Sequence, residues 1–387
     1  MGETIGPFPP SLSLALFFAT VVSLVYVGFA VCQMHRFAHR PPSVRVIGAP
    51  VSMFKPLCGD EPFLYENLRS FCDQDYPRFE VVFGVRDHGD PAIAVVERVM
   101  REFPDLDLRL VVDDRLHGGN RKVSNLANMY HAAKYDLLVI ADSDMRVGRE
   151  YLSVVTAPLS DPSVGIVTCL YVGRPSGGLW STLGAMFINE WFVPSVLVAH
   201  ALRTVPFCFG STAALRREVL DAIGGFPVLA GHLADDYVLG RLVAAGGRRI
   251  ALSPYVVEAR VAEPTFRSLW QHELRWARTV RSVQPLGYSL LFVTYAIPIA
   301  MLNLVWSFSA PSAWLMLTAA LALRLAAHRA ARRALGASAG RAGWVPIRDA
   351  LSCAVWAIGF VCQTVRWRGE QIAVGPGGRI QADEMQA

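Results

Sequence analysis

The sequence is 387 residues long, 53% hydrophobic and only 18% charged, with a formal net charge of +5. An ordinary soluble domain is about 45–50% apolar and about 25% charged, so this chain carries an apolar surplus, and the surplus lies at its two ends. The basic residues form no long Lys/Arg run, which argues against a nucleic-acid partner and favours a membrane surface. The seven cysteines are scattered without a Cys-x-x-Cys pair, so neither a zinc site nor a disulfide framework is expected.

The first apolar segment covers residues 11–33 and contains no charged residue. At 1.5 Å per residue it is about 30–35 Å long, which is enough to cross a bilayer. A signal peptide is the alternative, but the start of this chain is not basic. Arg36 and Arg40 follow the segment, so the positive-inside rule places the next part of the chain in the cytoplasm. We predict a transmembrane anchor over residues 1–40.

The C-terminal part is apolar again. Residues 286–308 and 312–328 are two predicted spans that form a helical hairpin, and the arginines that follow them return the chain to the cytoplasm. A third apolar segment, residues 350–365, is short and basic on both sides, and the sequence leaves open whether it spans, re-enters or lies in the interface. We predict that residues 285–387 form a membrane region with a cytoplasmic tail.

Between these ends, short β-branched runs alternate with helical stretches. This pattern predicts an α/β domain over residues 48–284, with a mostly parallel sheet and helices on both faces. No Gly-x-Gly-x-x-Gly follows the first strand, which excludes a dinucleotide-dependent dehydrogenase. The predicted strands cover residues 51–57, 79–85, 108–112, 136–141 and 164–171, and the predicted helices cover residues 61–72, 92–103, 122–133 and 149–159.

Acidic and basic residues follow the predicted strands, where ligands of such sheets bind. Asp142 and Asp144 form an Asp-x-Asp whose hard oxygen ligands suit Mg²⁺ or Mn²⁺ bridging a diphosphate; a turn or helix cap is the alternative. Asp87 follows the second strand and is a candidate acceptor of hydrogen bonds from a uracil or ribose. Lys122 lies at the start of a predicted helix. It is either part of a diphosphate site at the helix N-terminus or simply the beginning of that helix.

Further along the chain lie two more candidate elements. Asp236 begins a helical pattern, either as part of a helix cap or as a general base for an acceptor hydroxyl. His272, Arg275 and Trp276 lie in an amphipathic stretch over residues 265–283, for which an interfacial helix is the alternative explanation. The apolar residues between positions 179 and 205 either line an acceptor groove or pack a core helix.

The order of these elements resembles a known signature. Asp87, Asp142-x-Asp144, Asp235-Asp236 and Arg275-Trp276 resemble the D, D, D, (Q/R)xxRW pattern of processive and lipid-linked GT-A glycosyltransferases. Residues 51–57, 75–77, 85–92 and 133–137 are similar to the ceramide glucosyltransferase family, which includes the bacterial hopanoid-biosynthesis glycosyltransferases. The resemblance runs from about Val51 to Trp276.

The resemblance implies a Rossmann-like GT-A fold and an inverting transfer, with roles carried over by position. Asp236 would deprotonate the acceptor hydroxyl, and Asp87 would hold the uracil of the donor. Asp144 and Asp142 would hold the Mg²⁺ or Mn²⁺ bound to the diphosphate of the donor, and Lys122 would lie beside this diphosphate. Arg275 and Trp276 would line the diphosphate and acceptor site, and His272 stands where Gln or Arg is usual, which leaves its role open.

The substrates follow only from the same resemblance. The Ala- and Arg-rich composition suggests a bacterial source, which favours transfer of N-acetylglucosamine from a UDP-sugar to a hopanoid such as bacteriohopanetetrol, in the inner cell membrane with a cytoplasmic catalytic domain. A ceramide glucosyltransferase that uses UDP-glucose is the alternative. A non-catalytic nucleotide-sugar-binding membrane protein is a further alternative, and a processive polysaccharide synthase would need more spans.

Overall fold

The structure, a computed structural model, describes residues 10–40, 48–203, 206–336, 340–361, 364–367 and 370–381. The chain divides into two compact units. The sheet unit comprises Arg40–Arg174, Arg203–Ala262 and Arg368–Ala387, and the helical unit comprises Met1–His39, Pro175–Leu202 and Glu263–Trp367. The domain limits at residues 48 and 284 stay a prediction; the contacts group residues 175–202 and 263–283 with the helical unit.

Elements are numbered in chain order across both units. The strands of the main sheet are β1 (Val51–Pro56), β2 (Phe79–Val85), β3 (Asp107–Val112), β4 (Leu137–Ile140), β5 (Met145–Arg146), β6 (Val164–Pro175), β7 (Ala213–Arg216) and β8 (Arg249–Val261). The helices of the sheet unit are α2 (Leu64–Cys72), α3 (Ala92–Glu102), α4 (Arg121–Tyr130), α5 (Tyr151–Thr156), α8 (Arg217–Ala222) and α9 (Asp235–Ala245), with 3₁₀ turns at Ala157–Ser160 and Phe226–Leu229.

Among the described residues the main sheet has the strand order β3-β2-β1-β4-β7-β6-β8-β5. The half from β3 to β4 is parallel, whereas β7 runs antiparallel to both β4 and β6, and β5 runs antiparallel to β8. The α/β class predicted from the sequence is confirmed, and each of the predicted strands is found. Strands β5, β7 and β8 were not predicted. Much of β8 is only half-buried, and its mixed apolar and polar residues lack the continuous hydrophobic run of a central parallel strand.

Two hydrophobic clusters cover the faces of this sheet. One lies beneath α2, α3 and α5, and the other lies beneath α4, α8 and α9. Gly84 of β2 fixes how closely α4 approaches. A Cβ on Gly84 would lie 2.5 Å from Asn125 Oδ1 and would also overlap the Met129 side chain, while Asn125 Nδ2 donates to Gly84 O at 2.7 Å. The missing side chain therefore lets α4 seat against the carboxyl end of β2.

The helical unit contains α1 (Pro10–Ala38), α6 (Gly178–Phe187), α7 (Val193–Leu202), α10 (Phe266–Val283), α11 (Pro285–Leu290), α12 (Ala296–Trp306), α13 (Pro311–Leu335), α14 (Val345–Gly359) and the short strand β9 (Thr364–Trp367). A π-helical turn at Ile188–Phe192 joins α6 to α7, and 3₁₀ turns cover Leu291–Thr294 and Ala342–Trp344. Within the part of the chain that the structure describes, two helices, Ser11–Ala38 and Gly178–Leu202, are long and apolar enough to cross a membrane. The second of these is mostly buried inside the protein, so it is a core helix of the unit.

The predicted span over residues 286–308 is broken. Pro285–Thr294 and Ala296–Trp306 meet at an angle of 67°. Pro298 supplies the reason: proline has no N–H, and its ring collides with the carbonyl four residues earlier, here that of Thr294. The segment 350–365 is not one helix either, because α14 ends at Gly359 and β9 follows. With 15 residues α14 is about 22 Å long, shorter than a hydrocarbon core of about 30 Å.

Part of the predicted C-terminal tail belongs to the sheet unit. Strands β10 (Glu370–Val374) and β11 (Ile380–Gln381) pair antiparallel, with a 3₁₀ turn at Pro376–Gly378 between them. Ile380 N donates to Gly231 O at 2.9 Å, and Leu233 N donates to Gly378 O at 2.8 Å. These bonds attach the tail to the loop that precedes α9.

The close approach of α4 to the sheet gives a testable expectation. Gly84→Ala should lower the free energy of unfolding by about 1–3 kcal/mol, because the added methyl group overpacks the contact with Asn125 and Met129. Chemical denaturation of the purified protein measures this change. Gly231→Ala is the matched control, since nothing lies within 4 Å of its Cβ position. Equal stability of both variants would show that the contact does not hold α4.

Candidate active site

The candidate site lies at the carboxyl edge of the parallel half of the sheet. Strand β1 is flanked by β2 and β4, and all three run in the same direction. Residues that follow these strands therefore share one edge. Asp87 follows β2, Asp142 follows β4, and Lys55 lies at the end of β1.

The Asp142-Ser143-Asp144 segment forms a tight link between β4 and β5, so it does not cap a helix. Ser143 is buried; its hydroxyl donates to Glu61 Oε2 at 2.5 Å, and its carbonyl accepts from Asn67 Nδ2 at 3.2 Å. Because the middle residue is fixed in this way, the side chains on either side of it are held at the sheet edge. Asp144 is exposed and Asp142 is half-buried.

Lys122 bridges two of the candidate carboxylates. Asn120 caps α4 by accepting from Val123 N at 3.1 Å, so the helix start predicted at this position is confirmed. Lys122 Nζ lies 2.5 Å from Asp142 Oδ1 and 3.6 Å from Asp235 Oδ2. Burial by itself would lower the pKa of Lys122, but the surrounding carboxylates outweigh it and raise that pKa above its ordinary value. The ammonium group is therefore a permanent positive charge in the site.

Asp235 and Asp236 form the first turn of α9, and neither is its cap. The cap position is Ala234, which makes no side-chain hydrogen bond. Asp236 Oδ2 accepts from Gly210 N at 2.9 Å and its Oδ1 accepts from Tyr237 N at 2.8 Å. These two donors fix the orientation of the Asp236 carboxylate.

Gly210 connects the two acidic pairs and was not singled out from the sequence. Its N–H donates to Asp236, and its carbonyl accepts from Asp142 N at 3.1 Å. A Cβ on Gly210 would lie 2.5 Å from Asp142 Oδ2 and 3.1 Å from Lys122 Nζ. A side chain at this position would therefore displace the Asp142 carboxylate and the Lys122 ammonium group from the arrangement seen here. Nothing in the local sequence marks the position, because its neighbours come from three distant segments of the chain.

Lys55 is a second residue that sequence reasoning missed. It is fully buried, and its Nζ donates to Asp142 O at 2.5 Å and lies 3.6 Å from the centroid of the Phe71 ring. Burial lowers the pKa of Lys55 to about 7, although the carboxylates of Asp142, Asp144 and Glu61 oppose the shift. The position of a lysine within an apolar strand could have identified Lys55 from the sequence, because buried lysines are rare without a partner.

Negative charge predominates in the described part of this site. Its acidic side chains are Glu61, Asp142, Asp144, Asp235 and Asp236, and its basic side chains are Lys55 and Lys122. Desolvation by the surrounding protein, followed by the charges of Asp142 and Glu61, raises the pKa of Asp144 to about 7, although solvent still reaches its side chain. Such an excess of carboxylates is unfavourable unless a cation joins it.

The carboxylate oxygens of the site fit a hard divalent cation that is also coordinated by the phosphates of a bound substrate. Within the described ranges there is no group of three or more His, Cys, Asp or Glu arranged to hold a metal by itself. Mg²⁺ and related ions are commonly bound through one or two carboxylates plus substrate phosphates, and Asp142 and Asp144 can supply those carboxylates. The residues present therefore fit a metal–diphosphate site and do not form a protein-only metal cage.

Asp87 lies in an exposed turn at the end of β2. Its Oδ1 accepts from Gly89 N at 2.8 Å, so the turn predicted for this segment is present. Asp90 in the same turn accepts from Gly59 N at 2.9 Å and from Ala92 N at 2.9 Å, and so attaches the loop after β1 to the start of α3. The side chain of Asp87 stays open to solvent at the sheet edge.

His272, Arg275 and Trp276 all lie on α10 of the helical unit. His272 Nδ1 lies 2.7 Å from Glu263 Oε1, and the His272 ring stands edge-on to Trp276 with 4.6 Å between centroids. The structure thus gives His272 a local contact that positions it on the helix. The neighbouring residue Glu273 is buried and accepts two hydrogen bonds from Arg348, each 2.7 Å long, which attach α10 to α14.

Comparison with known proteins gives a consistent result. The model of glycosyl transferase family 21 matches residues 15–380. Ceramide glucosyltransferase 1 of Caenorhabditis elegans is 26% identical over 270 residues, covering 69% of this chain and 57% of the relative. The ceramide glucosyltransferase of Komagataella phaffii is 36% identical over 157 residues, covering 36% of this chain and 30% of the relative. An N-acetylglucosaminyltransferase of Rhizobium meliloti is 27% identical over 254 residues, covering 62% of this chain and 58% of the relative.

One solved structure shares the fold over nearly the whole chain. It is the mannosyltransferase PcManGT from Pyrobaculum calidifontis in complex with GDP-Man and Mn²⁺, with a TM-score of 0.54, 24% identity, and coverage of 90% of this chain and 98% of that chain. The predicted GT-A fold is confirmed by this likeness. The chain spans roughly half the length of the first curated relatives it matches, 57% and 50%. Since the family model matches nearly the whole sequence, the chain belongs to glycosyl transferase family 21.

Proposed function

We propose that this protein is an inverting glycosyltransferase that moves a hexose from a UDP-sugar to the hydroxyl group of a membrane lipid. The observation that carries the proposal is the Gly210 link: one residue contacts Asp236 through its N–H and Asp142 through its carbonyl. A carboxylate base and a donor-binding carboxylate are thus held beside each other, as a single-displacement reaction requires.

Asp236 is the proposed general base. Burial, together with the charge of Asp235, raises the pKa of Asp236 to about 6, although Lys122 opposes the shift. A base with such a pKa is still ionised near neutral pH and accepts a proton more readily than an ordinary aspartate. The acceptor hydroxyl transfers its proton to Asp236 as its oxygen bonds to the anomeric carbon. The bond between that carbon and the β-phosphate oxygen breaks, and UDP leaves.

The remaining site residues are assigned to the donor. Lys122 offers a fixed positive charge to the diphosphate, and Asp87, with its open side chain, is the proposed partner of the uracil. Asp144 and Asp142 are the proposed ligands of Mg²⁺ or Mn²⁺, which would supply electrostatic stabilisation of the leaving diphosphate. The Mn²⁺ in the complex of PcManGT supports a divalent cation here.

Arg275, Trp276 and His272 are assigned by position in the family signature. Arg275 and Trp276 are the proposed lining of the diphosphate and acceptor site. For His272 we propose a positioning role, because its contacts with Glu263 and with the Trp276 ring set the orientation of the indole.

The proposed sugar is N-acetylglucosamine and the proposed acceptor is a hopanoid such as bacteriohopanetetrol, in an inner membrane with the catalytic unit on the cytoplasmic side. The similarity to an N-acetylglucosaminyltransferase of Rhizobium meliloti supports this sugar. The second candidate is synthesis of glucosylceramide from UDP-glucose, which is favoured by the ceramide glucosyltransferases among the relatives.

Asp236→Asn tests the assignment of the base. The variant should lose transfer by at least about 100-fold, the lower end of what a positioned general base contributes, while the affinity for UDP-sugar changes little. Transfer is measured as UDP release, and affinity is measured by calorimetric titration of UDP. Asp136→Asn serves as the matched control, because its side chain is 89% exposed at the opposite end of β4. Normal turnover in Asp236→Asn would remove Asp236 as the base.

Chelation tests the metal assignment. EDTA should stop the reaction, and added Mg²⁺ or Mn²⁺ should restore it, because the carboxylate excess and the diphosphate both require a cation. Asp144→Asn should also weaken Mn²⁺ binding in the presence of UDP by about tenfold or more, the loss typical of one charged contact, as measured by the electron paramagnetic resonance of free Mn²⁺. Asp161→Asn, which contacts Arg249 at the surface, is the control. Full activity in chelator would contradict the assignment.

A further inference from the structure

The β10–β11 hairpin, residues 370–381, adds a strand to the loop that precedes α9. The two backbone hydrogen bonds that join it to residues 231–233 are 2.9 and 2.8 Å long. They flank His232 and Arg379, which face each other as an antiparallel pair. The contact therefore has the geometry of a short antiparallel sheet. The proposed reaction assigns no role to this hairpin.

The loop that the hairpin holds leads directly into the proposed base. Asp236 follows Leu233 by three residues and lies in the first turn of α9. The cap position of this helix is Ala234, which has no side chain that can accept from the first N–H groups. Because α9 lacks this local constraint, the bonds between the hairpin and residues 231–233 constrain the position of its first turn from outside.

The hairpin also contacts the loop that precedes α4. A Cβ on Gly119 would lie only 2.8 Å from Ile380 Cγ2, so the two residues pack closely. Asn120, the next residue, is buried and joins this loop to the loop before α9. Its N–H donates to Ala230 O at 2.8 Å, and its Nδ2 donates to His232 O at 2.8 Å. The hairpin therefore packs against both loops at the point where they meet.

These two loops carry groups with complementary roles in the proposed reaction. Lys122 follows Asn120 by two residues, and its Nζ lies 3.6 Å from Asp235 Oδ2. Asn120 Nδ2 donates to Asp235 Oδ1 at 3.2 Å, and Asp236 is the next residue. The donor side and the base side of the site are thus joined beside the hairpin. A misplacement of about 1 Å in an active site can lower a reaction rate by about 100-fold.

Hydrophobic burial does not explain the hairpin. None of its described side chains belongs to either hydrophobic cluster of the sheet unit, and Arg379 is exposed. The contacts described above are backbone hydrogen bonds and the packing of Ile380 against Gly119. Removal of the hairpin should therefore leave the core of the sheet unit intact and loosen the two loops.

We infer that the β10–β11 hairpin is a positioning element of the active site, which stays docked during turnover and holds the loop of Asp236 against the loop of Lys122. The inference rests on the proposed function, in which these two residues act on the acceptor and the donor. The hairpin supplies no group to the reaction and acts through the two loops. The Asp142-Ser143-Asp144 segment is held separately, by residues of β1, of α2 and of the loop between them. Loss of the hairpin should therefore lower kcat and leave donor binding nearly unchanged.

Deletion of residues 375–387 from the full-length protein tests this inference. We expect kcat for UDP release to fall at least about tenfold, while the affinity for UDP in the presence of Mn²⁺ changes by less than about threefold. The backbone amides of residues 231–237 should exchange hydrogen faster, as measured by mass spectrometry, because their loop is no longer held. Deletion of residues 382–387 is the matched control, since it removes only residues outside the described ranges, and it should change none of these quantities.

Ile380→Pro keeps the test valid if the deletion variant fails to fold. Proline removes the N–H that donates to Gly231 O, and Ile380→Val, which retains this N–H, is the control. Ile380→Pro should lower kcat and speed hydrogen exchange in the same loop, and Ile380→Val should leave both unchanged.

A disulfide between positions 232 and 379 tests whether the hairpin stays docked. Facing residues of this kind have Cα atoms about 4.5 Å apart, within the disulfide range of about 4.4–6.8 Å. The double variant His232→Cys and Arg379→Cys should form the bond on oxidation, detected as a linked peptide. Its kcat should be the same before and after reduction with dithiothreitol. The single variant His232→Cys controls for oxidation of the native cysteines.

Three results would overturn the inference. One is an unchanged kcat in both the deletion and Ile380→Pro variants, and another is a loss of UDP affinity as large as the loss in kcat, which indicates a general structural support. The third is an oxidised double variant that is inactive until it is reduced, which indicates a lid that must open. Failure of the proposed function is distinguishable, because the full-length protein itself would then transfer no sugar, while hydrogen exchange would still report on the loops.

Discussion

The packing of Gly210 against Asp142 and Lys122 is the constraint on which the sheet unit depends. It attaches the loop before β7 to the end of β4 and to the first turn of α9, so that separate segments of the chain share one polar cluster. Such a cluster would be unstable if it were only partly paired. Here Lys122 neutralises part of the negative charge, and the remaining excess favours a divalent cation with its diphosphate. The same contacts therefore stabilise the edge of the sheet and hold its carboxylates close together.

The helical unit also contains buried charged residues that pair with one another. Its apolar helices bury Arg348 against Glu273 and Arg324 against Asp349, and each pair joins elements distant in the sequence. Burying such a pair costs desolvation free energy. Removing one partner costs more, because it leaves an uncompensated buried charge, so each pair holds its helices together. Among the described residues Glu190 is an exception, because its Oε2 accepts no hydrogen bond and lies 3.7 Å from Arg324 Nη2.

The sequence predicted the elements that depend on local pattern. The parallel strands were predicted correctly because buried strands have continuous hydrophobic runs. Asp142, Asp144 and Asp236 were singled out as candidates because they directly follow such runs or begin a helix. Gly210 and Lys55 were missed, since their importance comes from neighbours that only the fold brings together. The break at Tyr295 was missed because the mean hydropathy of the whole segment does not reveal the effect of a single proline on the helix. The pairing of Glu190 with His328 likewise depends on contacts between helices, which no periodicity encodes.

We propose that the charged sheet edge transfers a sugar to a lipid. UDP release by the purified full-length protein in detergent tests it most directly, with UDP-glucose, UDP-N-acetylglucosamine and UDP-galactose, each offered with ceramide, with bacteriohopanetetrol and without lipid. If the sheet edge catalyses this transfer, release should require one particular pair of sugar and lipid, with UDP-N-acetylglucosamine and bacteriohopanetetrol as the expected pair. UDP binding without release for any pair would exclude the transfer and leave a protein that only binds nucleotide-sugars.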